Sequence, residues 1–455
     1  MNINFSDCIN CIQPIRMFNK IPPEFDPIMV FRESDKRIAK KFLEDRMNTK
    51  ISESQIIYSD SLFTTLNNGN ILSFAHITWR GIPIQSYRLS EFQSSYLEDF
   101  KNIQIETFKL LNDSTILGDD TNLFSNSNHL VLFDGQFQKV YIFETKTKKL
   151  IHLIEDKSFD KKNIYKEIFS DTTNYYDKIG KYEGMLEQVG AKYVKIVDVV
   201  VNKDKIYCML SLSYIKPNLK KENSLHVLSK YVLMELSNNM NYSFYPIEES
   251  PLLEANGYLT LPIFNAQSYI QDNIIYTFLF HENPDSLNTY LVGKYEVMEK
   301  KKNKIKSFNF VGFGKVKYLA GIPYTDLSGH IFYPYYFFSI KNLVVDINSG
   351  ESFEIMKGSF IKNIERNENG GIKLPFPYLL HCIFRRKDNS YNLFLSKENE
   401  SYIYNFNANS KSSLLLRKIA VPPYKKFNLL SEYIFITEKT LAVLTNQNEL
   451  IQINF

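Results

Sequence analysis

Seven runs of β-favouring residues recur along this chain, at 84–87, 141–143, 231–234, 295–298, 343–347, 402–406 and 450–455, and each but the last opens into a polar turn. From one start to the next the steps are 57, 90, 64, 48, 59 and 48 residues. A recurrence of this length means that each unit is one supersecondary motif, too small to bury its apolar face alone, so neighbouring units must stack. The single long step marks an insertion. Such a pattern limits the chain to an all-β repeat architecture.

Composition agrees with sheet. Aromatic residues make up 15% of the 455 residues through 35 Phe and 30 Tyr, types that suit a pleated, half-buried surface. Within 129–144, two β-rich runs flank Asp134-Gly135, and a Lys-Thr-Lys-Lys turn leads on to 150–154, so three antiparallel strands fall within one short stretch. The same succession recurs at 331–339, 343–347 and 352–356, where Asn348-Ser349-Gly350 supplies the positive φ of a tight turn. It recurs again at 378–385, 391–395, 402–406 and 414–419.

Blades of a β-propeller have this spacing, and the chain resembles the divergent β-propellers often found in bacteria over roughly residues 55–455. The Trp-Asp ending of WD40 repeats is absent, since the single tryptophan, Trp79, precedes Arg80, and Gly370-Gly371 is a lone kelch-type pair among 17 glycines. The resemblance is one of architecture and carries no functional residues across. It implies a single propeller of seven blades, with six as the close alternative. A sandwich or a solenoid would also show short strands with regular turns, and the ending of the chain separates them. The last unit stops at Phe455, one outer strand short, and a hydrogen-bonding edge left there must be filled by another part of the chain. The N-terminal runs 27–31 and 55–59 are the expected closing strands.

Three stretches depart from the repeat. Residues 34–47 read as a short amphipathic helix with a serine cap and Ile38, Phe42 and Leu43 at helical spacing. Residues 90–101 read as another through Phe92, Tyr96 and Phe100. The long step holds Ile164, Ile168, Tyr175, Tyr176, Ile179, Tyr182 and Leu186 on a polar background, which predicts one or two helices inserted at about 155–190. The expected organisation is therefore an N-terminal arm over 1–54 and a propeller over 55–455.

A net charge of +4 is too small for a dedicated nucleic-acid binder, and no apolar stretch is long enough for a membrane helix. Residues 1–31 have no basic start followed by an apolar core, so the chain as given is expected in the cytoplasm, or in a secreted or periplasmic setting if a leader was removed. Four cysteines are too few for a disulfide scaffold. Cys8 and Cys11 have C-x-x-C spacing but lack the second pair of a zinc site and the βαβ context of a redox site, so they read as ordinary cysteines.

No catalytic motif emerges. The seven histidines form none of the metal-ligand spacings, and His76, His281 and His381 are expected late in second strands, away from the innermost ones. Neither G-x-S-x-G nor a phosphate loop occurs, Gly312-Phe-Gly314 reads as a turn, and Asp119-Asp120 and Glu248-Glu249 read as solvated loop charges. The lysines at 146, 148 and 149, and at 300, 301, 302, 304 and 306, read as edge-protecting, solubilising charges. A second polar set is expected after second strands, on the rim that also carries the long inter-blade connections: Trp79, Arg80, Lys220, Lys221, His281, Arg385 and Arg386, with Lys387. Arginine and tryptophan dominate recognition sites because they offer forked hydrogen bonds and large rigid contact area.

These readings predict a protein- or peptide-binding module that displays its binding residues on one propeller face, as a monomer or within a hetero-complex, with no cofactor. Two alternatives stay open: a propeller enzyme (hydrolase, lyase or glycan-active) with carboxylates or histidines converging near the axis within about 6 Å, and a carbohydrate-binding protein using exposed aromatics.

Overall fold

The structure, a computed structural model, describes residues 2–3, 21, 27–46, 55–66, 74–79, 82–88, 104–118, 120–169, 175–181, 192–202, 205–217, 225–237, 241–247, 260–263, 269–271, 273–281, 289–299, 306–313, 329–338, 342–355, 365–366, 372–373, 379–397, 400–419, 433–445 and 448–455. Cys8, Cys11 and the whole of the expected helix at 90–101 lie outside them.

A small mixed sheet comes first, built from β1 (Asn2–Ile3), β2 (Met29–Phe31), β3 (Ile56–Tyr58), β4 (Phe74–Trp79) and β5 (Ile82–Arg88) in the order β3-β2-β1-β4-β5. Helices α1 (Lys36–Arg46) and α2 (Asp60–Leu66) sit in its connections. In α1 Ala39 is buried and Leu43 half-buried, while Ile38, expected on the apolar stripe, is 57% exposed.

Next is β6 (Gln104–Lys109), and then the blades. Blade 1 holds β7 (Thr121–Ser125), β8 (His129–Asp134), β9 (Lys139–Glu144) and β10 (Leu150–Ile154). The inserted helices α3 (Lys161–Phe169) and α4 (Tyr175–Gly180) follow, where the long step predicts them. Blade 2 is β11 (Val194–Asn202), β12 (Lys205–Pro217), β13 (Leu225–Leu236) and β14 (Tyr242–Pro246). Blade 3 splits its innermost strand into β15 (Thr260–Ile263) and β16 (Tyr269–Gln271), both paired with β17 (Ile274–His281), then β18 (Thr289–Glu299) and β19 (Lys306–Phe313). Blade 4 is β20 (Gly329–Phe332), β21 (Tyr335–Phe338), β22 (Leu343–Asp346) and β23 (Ser352–Glu354). After a two-stranded hairpin, β24 (Glu365–Arg366) with β25 (Ile372–Lys373), blade 5 is β26 (Leu379–Arg385), β27 (Ser390–Lys397), β28 (Glu400–Asn407) and β29 (Ser412–Ile419). Blade 6 takes β30 (Tyr433–Thr437), β31 (Thr440–Leu444) and β32 (Glu449–Asn454) from the C-terminus and β6 from near the start.

The protein is thus a β-propeller of six blades, not seven. Six of the seven runs are third strands of blades. The first, 84–87, belongs to β5, whose partner β4 pairs with Asn2 of β1 instead of joining the ring. A local hairpin has the same alternation wherever it ends up, so the repeat overcounts by one.

The missing outer strand of the last blade is filled, but from a different place than expected. β6 runs antiparallel to β32 from Gln104 opposite Asn454 to Lys109 opposite Glu449. The expected closing strands at 27–31 and 55–59 are committed to parallel pairing within the N-terminal sheet, as β2 and β3. Lys148 supports the closure. Its ammonium, expected in solvent, is buried beside the ring of Phe108 on β6 and donates to the Thr145 carbonyl, and burial lowers its pKa while Glu106 partly restores it.

Middle strands bury both faces because a blade is sandwiched between two others. Leu130, Val131, Leu132 and Phe133 of β8 are all buried, as are Leu393, Phe394 and Leu395 of β27. Between blades 6 and 1 the core contains Leu110, Leu123, Leu132, Ala442 and Leu450, so the apolar ring is continuous. Ser125 Oγ of blade 1 also donates to the Phe435 carbonyl of blade 6 at 2.8 Å. The inserted helices pack Ile164, Tyr165, Ile168 and Ile179 against the core between blades 1 and 2, and the buried Tyr165 hydroxyl meets the carbonyls of Tyr193 (2.7 Å) and Ser213 (2.5 Å). An apolar face and a satisfied phenol explain why this insertion is structured.

Candidate functional site

The innermost strands β7, β11, β16, β20, β26 and β30 stand around one axis. β30 neighbours β7, β7 neighbours β11, β11 neighbours β16, and β26 lies between β20 and β30; β16 meets β20 through the rings of Tyr269 and Phe332, 5.4 Å apart. All six run the same way, so the ring has one end at their starts and another where they turn into the second strands.

At the turn end lies Arg385, the last residue of β26. Its Nη1 donates to Gln271 Oε1 (3.2 Å) at the end of β16 and to the Tyr333 carbonyl (3.5 Å) in the β20–β21 turn, and its Nη2 donates to Asn389 Oδ1 (3.0 Å). Blades 3, 4 and 5 can share one side chain only where their innermost strands converge, which places the guanidinium at the axis. Asn389 holds φ at 60°, the left-handed conformation that asparagine tolerates, and this aims its amide back at Arg385. All of these acceptors are uncharged. Among the described residues Arg385 has no carboxylate partner, and of its five N–H donors the Nε–H and one Nη2 hydrogen have no acceptor.

Tyrosines surround it. The Tyr333 ring stacks on Tyr276 at 4.2 Å, and its hydroxyl donates to Asn348 Oδ1 at 2.9 Å. Lys294 Nζ stands 5.3 Å from the Tyr333 ring centre and 5.7 Å from that of Tyr276. Burial raises the pKa of Tyr391, beneath Arg385, to about 12, with the guanidinium opposing the rise. Arg386, next in sequence, is different: it approaches Glu438 Oε2 (3.7 Å) and Asp388 Oδ2 (3.9 Å) and is neutralised.

At the strand-start end, His330 of β20 and His381 of β26 come from adjacent blades. The His330 ring hydrogen-bonds the His381 backbone, and His381 Nε2 lies 2.6 Å from Ser396 Oγ and its ring 4.8 Å from that of Tyr433 on β30. His381 is the extra residue of a β-bulge between Leu380 and Cys382, a device that re-aims a side chain. Burial lowers both imidazoles to about 4, and for His381 the neighbouring His330 adds to the shift. His381 was expected in a second strand; four strands follow one another from 379 to 419, which makes its own strand the innermost. Ser396 and His381 have the contact of a nucleophile with its base, yet an imidazole held this acidic is a weak base at neutral pH.

The residues expected on one binding face separate. Trp79 ends β4 in the N-terminal sheet. His281 ends β17, a second strand, and so lies at the rim opposite Arg385, which ends a first strand. Arg80, Lys220, Lys221 and the Pro/Gly-rich connections of that rim are outside the described residues. Of the described residues of that set, Arg385 and Arg386 alone stand together. Sequence reasoning missed Gln271, Tyr333, Lys294, His330, Ser396 and Tyr433; of these only Tyr333, just ahead of Pro334 between two apolar runs, stands at a position that a turn would mark.

Among the described residues no group of three or more His, Cys, Asp or Glu side chains is placed to hold a metal ion. Cys208 and Cys382 are buried thiols. No described helix is long and apolar enough to cross a membrane.

No protein-family model matches the chain. Among curated proteins there is no match either. Solved structures that align with it include a member of the duf4221 family from Bacteroides vulgatus (12% identity, 77% of this chain and 96% of that one, TM-score 0.38). A Trypanosoma rangeli sialidase aligns at 10% identity over 77% of this chain and 59% of its own, with TM-score 0.36. Drosophila Semaphorin 1a, extracellular domains 1–2, aligns at 10% identity over 75% and 86%, with TM-score 0.32. At these scores the likenesses carry no functional argument, and the propeller assignment rests on the strand pairing itself.

Proposed function

We propose that the protein is an interaction module that binds a protein or peptide partner at the turn end of the propeller axis, around Arg385. The observation that carries this reading is the guanidinium fixed by three uncharged side-chain and backbone acceptors from three blades, with no carboxylate partner and two donors unused among the described residues. Holding a charge half-buried without a counter-ion costs stability, and a pre-oriented fork regains that cost when a partner supplies the acceptor. Arg386, already paired, is the internal contrast.

The test is affinity capture from the source cell at moderate salt with the wild-type chain, Arg385→Ala and Arg386→Ala. A stoichiometric partner held by wild type and Arg386→Ala and lost with a folded Arg385→Ala is the expected result; an undiminished partner on Arg385→Ala overturns the reading.

The propeller-enzyme reading draws on a different observation, the 2.6 Å contact between His381 and Ser396. It requires turnover of an activated ester or amide that disappears in Ser396→Ala and whose rate climbs as pH passes about 4 and then levels off. Absence of any such Ser396-dependent turnover removes it.

A further inference from the structure

Lys294 gives the turn end a second cation. It lies on β18 in blade 3, half-buried, against the edge of the Tyr276–Tyr333 stack, and among the described residues it has no ion pair. Arg385 touches the same residue through the Tyr333 carbonyl. One tyrosine therefore touches two positive groups that belong to different blades and are held by neutral or π contacts. Three hydrogen bonds hold Arg385 and two aromatic rings flank Lys294, which restricts the rotamer freedom that weakens pairs made by surface lysines.

Resting on the binding reading above, we infer that the partner segment is acidic: a peptide whose side-chain carboxylates reach Arg385 and Lys294, the two cations that meet at Tyr333. A carboxylate fits the open edge of the guanidinium through two N–H donors, and Lys294 takes a second as a point charge. A peptide is favoured over a nucleic acid because the whole chain carries only +4 and the pair is confined to one axial end. It is favoured over a sugar because Tyr276 and Lys294 already occupy the Tyr333 ring.

Fluorescence polarisation with a labelled oligoglutamate peptide on the full chain tests this, with an oligoglycine peptide and an oligothymidylate as parallel probes. Wild type is expected to saturate with oligoglutamate and to ignore oligoglycine. Arg385→Gln and Lys294→Gln are each expected to weaken binding about tenfold and to flatten its salt dependence, while Arg386→Gln leaves it unchanged. Arg385→Lys, which retains the charge, is expected to recover part of the loss, and this distinguishes recognition from misfolding. Lack of saturable binding, or equal binding by Lys294→Gln, overturns the inference. Tighter binding of oligothymidylate through the same two residues also overturns it in favour of a nucleic acid. If the cellular partner is lost with Arg385→Ala while oligoglutamate does not bind, the interaction module stands and its acidic ligand falls; if neither depends on Arg385, both fall.

Discussion

Arg385 at one end of the axis and His330 with His381 at the other are polar groups placed on the same ring of innermost strands, with opposite outcomes. The guanidinium cannot shed its proton, so the fold meets it with neutral acceptors and, among the described residues, leaves donors over. The imidazoles can, and burial makes them do so, after which one satisfies a backbone group and the other a serine. A group that keeps its charge in a half-buried place stays available for recognition. One that loses it becomes packing.

If the imidazole end is structural, its apolar support should matter most. Phe394, fully buried and packed on His381 (5.3 Å) and Tyr433 (4.9 Å), is expected to cost about 3–5 kcal/mol when replaced by alanine, measured by urea unfolding. A loss below about 1 kcal/mol would show that this end is loosely packed.

Acid separates the two ends next. Unfolded imidazoles take up protons near 6.5 and these near 4, so between those values the unfolded chain binds more protons. The stabilisation is complete above about pH 6.5 and is lost as pH falls towards 4, by on the order of a few kcal/mol for the pair. Thermal unfolding across this window should show the slope in wild type and a flatter one in His330→Gln/His381→Gln. An unchanged slope would assign the acid sensitivity to other groups.

At the guanidinium end, Gln271→Ala should lower stability by only about 1 kcal/mol, since it removes one hydrogen bond to a charged group that water can replace, yet weaken binding by releasing the fork. Equal effects on both would make Arg385 a structural tie between blades. Smallest of all, Arg386→Ala should change stability by no more than about 0.5 kcal/mol, because its ion pairs are long and partly exposed. A larger loss in the same unfolding assay would contradict the contrast between the two arginines.

Much of the fold was legible. Turn residues behave as their chemistry requires: Asp134 is buried and accepts the amides of Gly118 (3.0 Å) and Phe137 (2.9 Å), and Gly350 holds a φ of 75°. The inserted helices follow from apolar spacing alone. The site was far less legible, because Arg385 meets Gln271 across 114 positions and Tyr333 across 52, and no local pattern encodes either contact. Trp79 and His281, expected on the same face as Arg385, are placed elsewhere for the same reason. Whether a polar residue ends a first or a second strand decides its rim, and that depends on counting strands correctly through segments such as β24–β25 that join no blade.

Side-chain alternation and turn chemistry are local, and by themselves they determined that this chain forms short antiparallel strands in repeated groups with one helical insertion. Tertiary structure decided that there are six blades, that β6 and not an earlier strand completes the last, and which polar groups reach the axis. Strand pairing runs through backbone hydrogen bonds that are the same for every residue, and the entropy of closing a loop grows only slowly with its length. Several N-terminal strands could therefore meet β32 at similar cost in chain entropy, and packing in the closed ring selects among them.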